Sequence, residues 1–515
     1  MYHHVIIKKN VYYDSFSLMK ISAEIKTLHG IYDAVVCMAT DQNREFLYQN
    51  KFPSSEIQNS TNNDLILAIK ALDEESAVNA VKEAELLLHQ REKMRIKANR
   101  PRTLESAMKR LTDASVVLIS TPGKYVFREA HFAITKGLHV MIFSDKVPIE
   151  DEVRLKQVGD REGLLVMGPD CGTSIINGAF LGFANRVRRG PIGIVGASGT
   201  GIQEVSVILD RLGVGVSHAI GTGGRDLSGE VGGITSKMGI KALARDPETK
   251  LIILIAKSFN TGVISEVLSL LRESGKPSVT HLIGGVSGFI EKMGMVAAET
   301  LEDTALKASG YFMENSECAL PSIDKELSRV IEYEVRNFSV RQKYLRGLFC
   351  GGTLCAEAAM IFSRKGTKIH SNMKLNYVNQ LPNAEISIGH TVVDLGDDFF
   401  TQGRAHPMID PRIRIDRFIT EAIDPETAVI LLDVILGYGA SLDMAGDLLP
   451  AIIEGKRIHK ELGGCLSVIV NLCGTESDVQ DYREQKKKLE ESGVIVLPSN
   501  ALATQVAANI IQRLS

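Results

Sequence analysis

The 515-residue chain contains no tryptophan, and aromatic residues make up only 6% of it. No apolar run reaches the roughly 18 residues that a membrane-spanning helix needs, so no membrane partner is expected. The opening stretch, Met1 to Asn10, has neither the long apolar segment nor the small-residue cleavage site of a secretory signal. The seven cysteines are odd in number, scattered and free of Cys-x-x-Cys pairs. That spacing argues against a zinc site and for reduced thiols in a cytoplasmic setting. Lys and Arg number 59 against 62 Asp and Glu, a net charge of -3. This balance excludes a strongly basic nucleic-acid binder and an acidic disordered chain. There is no Walker A motif, no His-Glu-x-x-His and no EF-hand loop, and no metal is assigned.

Glycine, by contrast, is abundant at 45 residues. A glycine-rich, aromatic-poor chain suits an α/β protein with many tight strand-to-helix turns. At roughly 150 residues per domain, the length allows three or four domains. In residues 1–95, His4–Lys8, Ala34–Met38 and Leu65–Ala71 read as strands. Leu18, Ile21, Ile25 and Leu28 recur at helical spacing, as do Ala77, Val81, Ala84 and Leu87. This order predicts a small α+β domain, ferredoxin-like or ACT-like. The basic stretch Arg91–Arg110 reads as a solvated linker face, with a groove for an anion as the sharper alternative. Residues 96–187 contain short apolar strands at Ala114–Ile119, Val140–Phe143 and Leu164–Met167, which predicts a Rossmann-like parallel sheet.

Two later segments repeat one ordered pattern. Gly193 to Glu204 and Gly347 to Glu357 both read as strand, glycine turn and helix start, with Gly-Thr at 199–200 and 352–353 and Glu four residues on. Asp246-Pro-Glu-Thr recurs at Asp424, and the Gly275–Val279 approach to a strand recurs at Gly464–Val468. The fold class that follows is α/β, with several doubly wound, flavodoxin- or Rossmann-like parallel-sheet domains. Their expected bounds are 188–315 and 341–515, joined by a charged helical linker at 316–340.

In such folds ligands bind beyond the carboxyl ends of the strands, so the strand-to-helix turns are the candidate sites. Ser198, Gly199, Thr200 and Gly201, and likewise Gly351, Gly352 and Thr353, each open a helix. Free N–H groups and the helix dipole suit them to phosphate, although the same residues would also build a plain turn and cap. Because the two turns open equivalent helices, they are expected to face one anion. Thr222, Gly223, Gly224 and Arg225 form a second glycine-rich loop, in which Arg225 is suited to an anionic group. Asp170 and Cys171 follow another strand, but no nearby His would activate the thiol. Asp394, Asp397 and Asp398 form an acidic turn read as solvated or capping. Arg404 and His406 lie in an insertion of the second repeat that would serve as a lid or as plain surface.

Met167-Gly-Pro-Asp-Cys-Gly, the segment Gly193–Glu204 and Asp246-Pro-Glu-Thr-Lys-Leu-Ile resemble the alpha subunit of succinyl-CoA synthetase. Arg346–Met360 and Asp424–Ala440 are similar to the ligase domain of its beta subunit. The fusion of the two resembles the FdrA family. The likeness makes 96–187 a CoA-binding-type domain, 188–315 alpha-ligase-like and 341–515 beta-ligase-like. Four parts of the synthetase are replaced or missing. Met295 stands where the resemblance places the phosphorylated His, and Lys257 where it places that histidine's acidic partner. Residues 1–113 show no counterpart of the CoA-phosphate loop, and the linker leaves no room for an ATP-grasp region. Neither CoA nor ATP is therefore assigned as a cofactor.

The resemblance implies a subunit of an oxamate carbamoyltransferase complex in allantoin and purine catabolism, converting oxalurate and phosphate to oxamate and carbamoyl phosphate. Carbamoyl phosphate or phosphate would be the ligand, and companion subunits would be the partners. Arg225 and Lys257 would act electrostatically. An acyl-CoA synthetase of the succinate–CoA ligase type and a non-catalytic metabolite-binding scaffold are the alternatives.

Overall fold

A computed structural model describes residues 2–52, 55–97, 101–285, 287–313, 322–402 and 404–514. The side chains of 90–100, which include much of the basic stretch, and residues 314–321 at the start of the linker lie outside that description. Two units make up the chain: residues 1–112 with 397–406, and residues 113–396 with 407–515.

The first unit is built on a three-stranded antiparallel sheet in the order Tyr2–Lys8, Leu65–Ala71, Ile31–Met38. The central strand, Leu-Ile-Leu-Ala-Ile-Lys-Ala, is apolar on both faces because both are covered. Leu65, Leu67 and Ile69 pack with Leu18, Ile21, Ile25, Ala77 and Ala84 of the helices Ser15–Lys26 and Glu74–Lys97. Ile66 and Ala68 pack with Leu47, Phe52 and Ile57. The expected small α+β domain is present, with three strands in its sheet.

The second unit holds three sheets. Val116–Ile119, His139–Ile142 and Val166–Met167 form a short parallel one. The next has seven strands in the order Val296–Ala297, Ser278–Leu282, Leu251–Ala256, Arg189–Ala197, Val216–Gly221, Thr173–Ile176 and Ala179–Gly182. Its first five strands are parallel, and the hairpin 173–182 adds two antiparallel strands at one edge. This hairpin lies within residues 96–187, and its edge pairing ties it to the following sheet. The third sheet is parallel throughout, in the order Asn379–Gln380, Ile369–Ser371, His390–Asp394, Tyr344–Phe349, Thr427–Ile435, Ser467–Cys473 and Ile495–Leu497.

The repeat is visible in this layout. Arg189–Ala197 and Tyr344–Phe349 are both interior strands at which the winding reverses direction. Each leads through a glycine turn into a thirteen-residue helix, Gly199–Arg211 or Gly352–Arg364. The second copy inserts the short strands 369–371 and 379–380 before the strand that flanks its centre. Both helices are buried along most of their length and share one apolar core, Ile202, Val205 and Leu209 with Leu354, Ala358 and Phe362.

Candidate functional site

The two helix starts meet. Ser198 caps its own helix by accepting the Gly201 N–H at 3.0 Å. Its hydroxyl also lies 2.6 Å from that of Thr353, and both residues are buried. The pseudo-twofold counterpart of this contact joins Gly351 to Thr200. A Cβ built on Gly351 would lie 3.0 Å from Thr200 Cγ2, so the glycine is what permits the approach. The first amides of a helix have no intrahelical acceptor. Gly199 and Thr200 from one helix and Gly352 and Thr353 from the other thus bring two positive dipole ends to one place.

Lys257 stands beside this junction. A Cβ on Gly352 would fall 3.2 Å from its Nζ and 2.4 Å from Asp394 Oδ2, so a larger residue at 352 would have to displace these side chains. Asp394 ends the strand His390–Asp394 and accepts the Gly396 N–H, so within the acidic turn this carboxylate faces the helix start.

Two residues of the candidate set have their amides committed elsewhere. Gly201 donates to Ser198, and Gly351 donates to Asp433 Oδ2 at 2.8 Å. Asp433 also accepts the Cys350 N–H at 2.9 Å and pairs with Arg414, and neither side chain has any solvent exposure. The second turn has no capping side chain of its own, so this carboxylate reaches in from the neighbouring strand to orient it. Sequence reasoning missed both Asp433 and Arg414. The available signal was a single acid inside the otherwise apolar run Val429–Ile435.

Arg225 is tied down as well. It pairs with Glu152 at 2.8 Å and donates to the Val147 carbonyl. Beneath it, Lys156 contacts Glu152 (2.9 Å), Asp226 (2.7 Å) and the Thr222 carbonyl (2.9 Å), and Lys156, Glu152 and Asp226 are fully buried. Asp226 in turn accepts the amides of Thr235 and Ser236 at the start of the helix Ile234–Arg245.

The structure does bring Asp170 to the Thr222–Gly224 loop. A Cβ on Gly224 would lie 3.6 Å from Asp170 Oδ2, and one on Gly223 only 2.2 Å from the Pro169 carbonyl. Gly223 also has φ +84°, which L side chains rarely adopt. Gly223→Ala is accordingly expected to lower the unfolding free energy by at least about 2 kcal/mol, as read from a urea midpoint. Cys171 is buried, and desolvation pushes its thiol up to about 11, away from nucleophilic use. Arg404 and His406 belong to the other unit, where the Arg404 guanidinium lies over the Phe46 ring at 5.6 Å. Met295 is packed in the apolar core with Leu282 and Ile290.

Comparison with known proteins places these parts. A family model described as CoA-ligase matches residues 348–510, and one described as CoA binding domain matches 187–277. A third, described as AllF, heavy metal-associated domain, matches 1–103. The residues of that domain do not fit a soft metal ion. Its first strand-to-helix turn, Lys9–Asp14, has no Cys, Met or His, and Cys37, the one thiol in 1–112, is pushed up to about 12 by burial. Among the described residues no group of three His, Cys, Asp or Glu is placed to hold a metal, and no helix is long and apolar enough to cross a membrane. At the first turn of the short parallel sheet Pro122 provides no side-chain cap, and a Cβ on Gly123 would lie 2.4 Å from the Lys146 carbonyl.

The alpha subunit of an ADP-forming succinate–CoA ligase from Aquifex aeolicus (strain VF5) is 28% identical over 247 residues, covering 45% of this chain and 79% of that one. Among solved structures, the apo form of dinucleotide-forming acetyl-coenzyme A synthetase 1 from Ca. Korarchaeum cryptofilum aligns at 16% identity and a TM-score of 0.32, covering 78% of this chain and 83% of that one. YahF of Escherichia coli (strain K12) is 40% identical over 510 residues, 98% of each chain. A likeness of that extent, with the CoA-ligase and CoA-binding regions in the same chain, makes this protein a member of the YahF family, an FdrA-like group of succinyl-CoA synthetase-like proteins.

Proposed function

We propose that the chain is a subunit of an oxamate carbamoyltransferase, acting on oxalurate and phosphate together with companion subunits. The observation that carries this reading is the meeting of two helix starts, Ser198–Thr200 and Gly352–Thr353, beside Lys257. This is a cradle for one small tetrahedral anion. The resemblance puts a phosphohistidine in such a cradle and assigns Met295, which is buried, to that histidine's place in the sequence. A free phosphate species is the simplest occupant left. In the reaction a phosphate oxygen bonds to the carbamoyl carbon of oxalurate, the bond from that carbon to the oxamate nitrogen breaks, and the nitrogen takes a proton. The chain's amides and Lys257 would hold the phosphate and offset its charge, and positioning would supply much of the rate.

Arg225 is held by Glu152 and has a smaller role in this scheme than its place in a glycine loop implies. The test is an oxalurate-plus-phosphate assay on the full chain with and without companion subunits. Turnover is expected only with companions. Thr353→Ala and Lys257→Ala should each reduce it about 10- to 100-fold, and Arg225→Ala by less. Full turnover by the chain alone, or no loss in either variant, overturns the reading. The likeness to succinate–CoA ligases favours a second reading, acyl-CoA ligation. It predicts an acid-labile phosphohistidine after incubation with labelled ATP and a ligase partner.

A further inference from the structure

The two helices that open at the anion cradle are also joined further along, through carboxyls that cross from one repeat to the other. Glu204 accepts the backbone N–H of Asn500 at 2.7 Å, at the start of the second repeat's last helix. Glu357 accepts the N–H of Leu301 at 2.6 Å, at the start of the first repeat's last helix. Asn500 links the pair, because its side-chain amide donates to Glu357 at 2.7 Å. Asn471 donates to the other oxygen of Glu204 at 3.2 Å. Each repeat therefore caps the final helix of the other.

Two acceptors in this seam lack a donor among the described residues. Glu204, Glu357, Asn471 and Asn500 are almost wholly buried, yet the side-chain oxygens of Asn471 and Asn500 have no hydrogen-bond partner among the described residues. Two buried carboxyls that share one asparagine are each favoured in the protonated form, because ionising both would place two like charges in a dry seam. Each carboxyl also lies one turn below a cradle residue, Glu204 after Thr200 and Glu357 after Thr353, about 6 Å along the axis. A bound anion and an ionised carboxylate at that range repel each other.

We propose that anion binding at the two helix starts is coupled to proton uptake by the Glu204–Asn500–Glu357 seam. The coupling rests on the anion reading above and adds its regulation: the anion is held tightly while the seam is protonated and released as it ionises. By reciprocity, the anion must strengthen the hold on the proton. The surroundings point the same way. Burial pushes Glu357 up to about 8 and half-buried Glu302 up to about 7, and it raises Glu204. The other ionisable groups facing the seam are Arg211, Cys473, Asp303 and Tyr377, of which only Arg211 is cationic.

Sulfate tests this, because it is tetrahedral and does not titrate between pH 6 and 9. Calorimetric titration of the full chain with sulfate, in two buffers of different ionisation enthalpy, should show proton uptake at pH 8. Affinity should fall about tenfold from pH 6 to pH 9. Glu357→Gln should flatten the profile, and Glu204→Gln provides a second reading if the first variant fails to fold. Sulfate bound with equal affinity at both pH values, or proton uptake unchanged in both variants, overturns the coupling alone. No sulfate binding at either pH overturns the anion reading and the coupling with it.

Discussion

Asp433→Ala is expected to lower the unfolding free energy by about 3–5 kcal/mol, because it removes one partner of a fully buried ion pair and leaves the other uncompensated. Arg414 would keep its charge with no counter-ion. The Cys350 and Gly351 amides would lose their shared acceptor, and neither can turn to solvent. The loss should appear as a lower midpoint in chemical denaturation, and sulfate affinity should fall with it because the second helix start loses its support. A double variant, Asp433→Ala with Arg414→Met, should recover part of the stability, since the unpaired charge goes too. It should not recover the anion site, because the turn remains unsupported. If Asp433→Ala melted like the unmodified chain, the carboxylate would have no part in holding the turn.

Lys156→Met is expected to cost a similar amount, about 3–5 kcal/mol. The ammonium is the shared counter-ion of Glu152 and Asp226, all three being fully buried. Without it Asp226 still accepts from Thr235, Ser236 and the Ser236 hydroxyl, and Glu152 keeps Arg225. Two carboxylates would nevertheless share a dry space with only one half-exposed guanidinium nearby. Adding Glu152→Leu should restore much of the loss, because it removes one of the two charges. A double-mutant cycle measures this coupling, and strict additivity of the two changes would contradict the network.

The small first domain, the parallel sheets and the repeat were all legible in the chain, since they rest on local pattern. Leu18, Ile21 and Ile25 recur at helical spacing and fill the core of the first unit. The continuous apolar runs Leu251–Ile255 and Val429–Leu432 are strands covered on both faces, as their composition requires. Ser198, Thr200 and Thr353 could be picked out because a glycine turn entering a helix has one local geometry wherever it occurs. That the two turns would meet was an expectation from the repeat alone.

Which side chains take up the amides at that meeting was decided only in three dimensions. Asp433 lies 82 positions from Gly351 in sequence and takes its N–H. Arg225 has the chemistry of an anion ligand, and Glu152, 73 positions earlier, engages it instead. Glu204 and Glu357 repeat in the sequence as landmarks, but their crossing onto Asn500 and Leu301 depends on how the two repeats face each other. Local composition determined the elements, because hydrophobic periodicity and turn chemistry act over a few residues. Tertiary structure decided the partners of the buried charges, because each must find a counter-charge or a free amide wherever the fold brings one within about 3 Å.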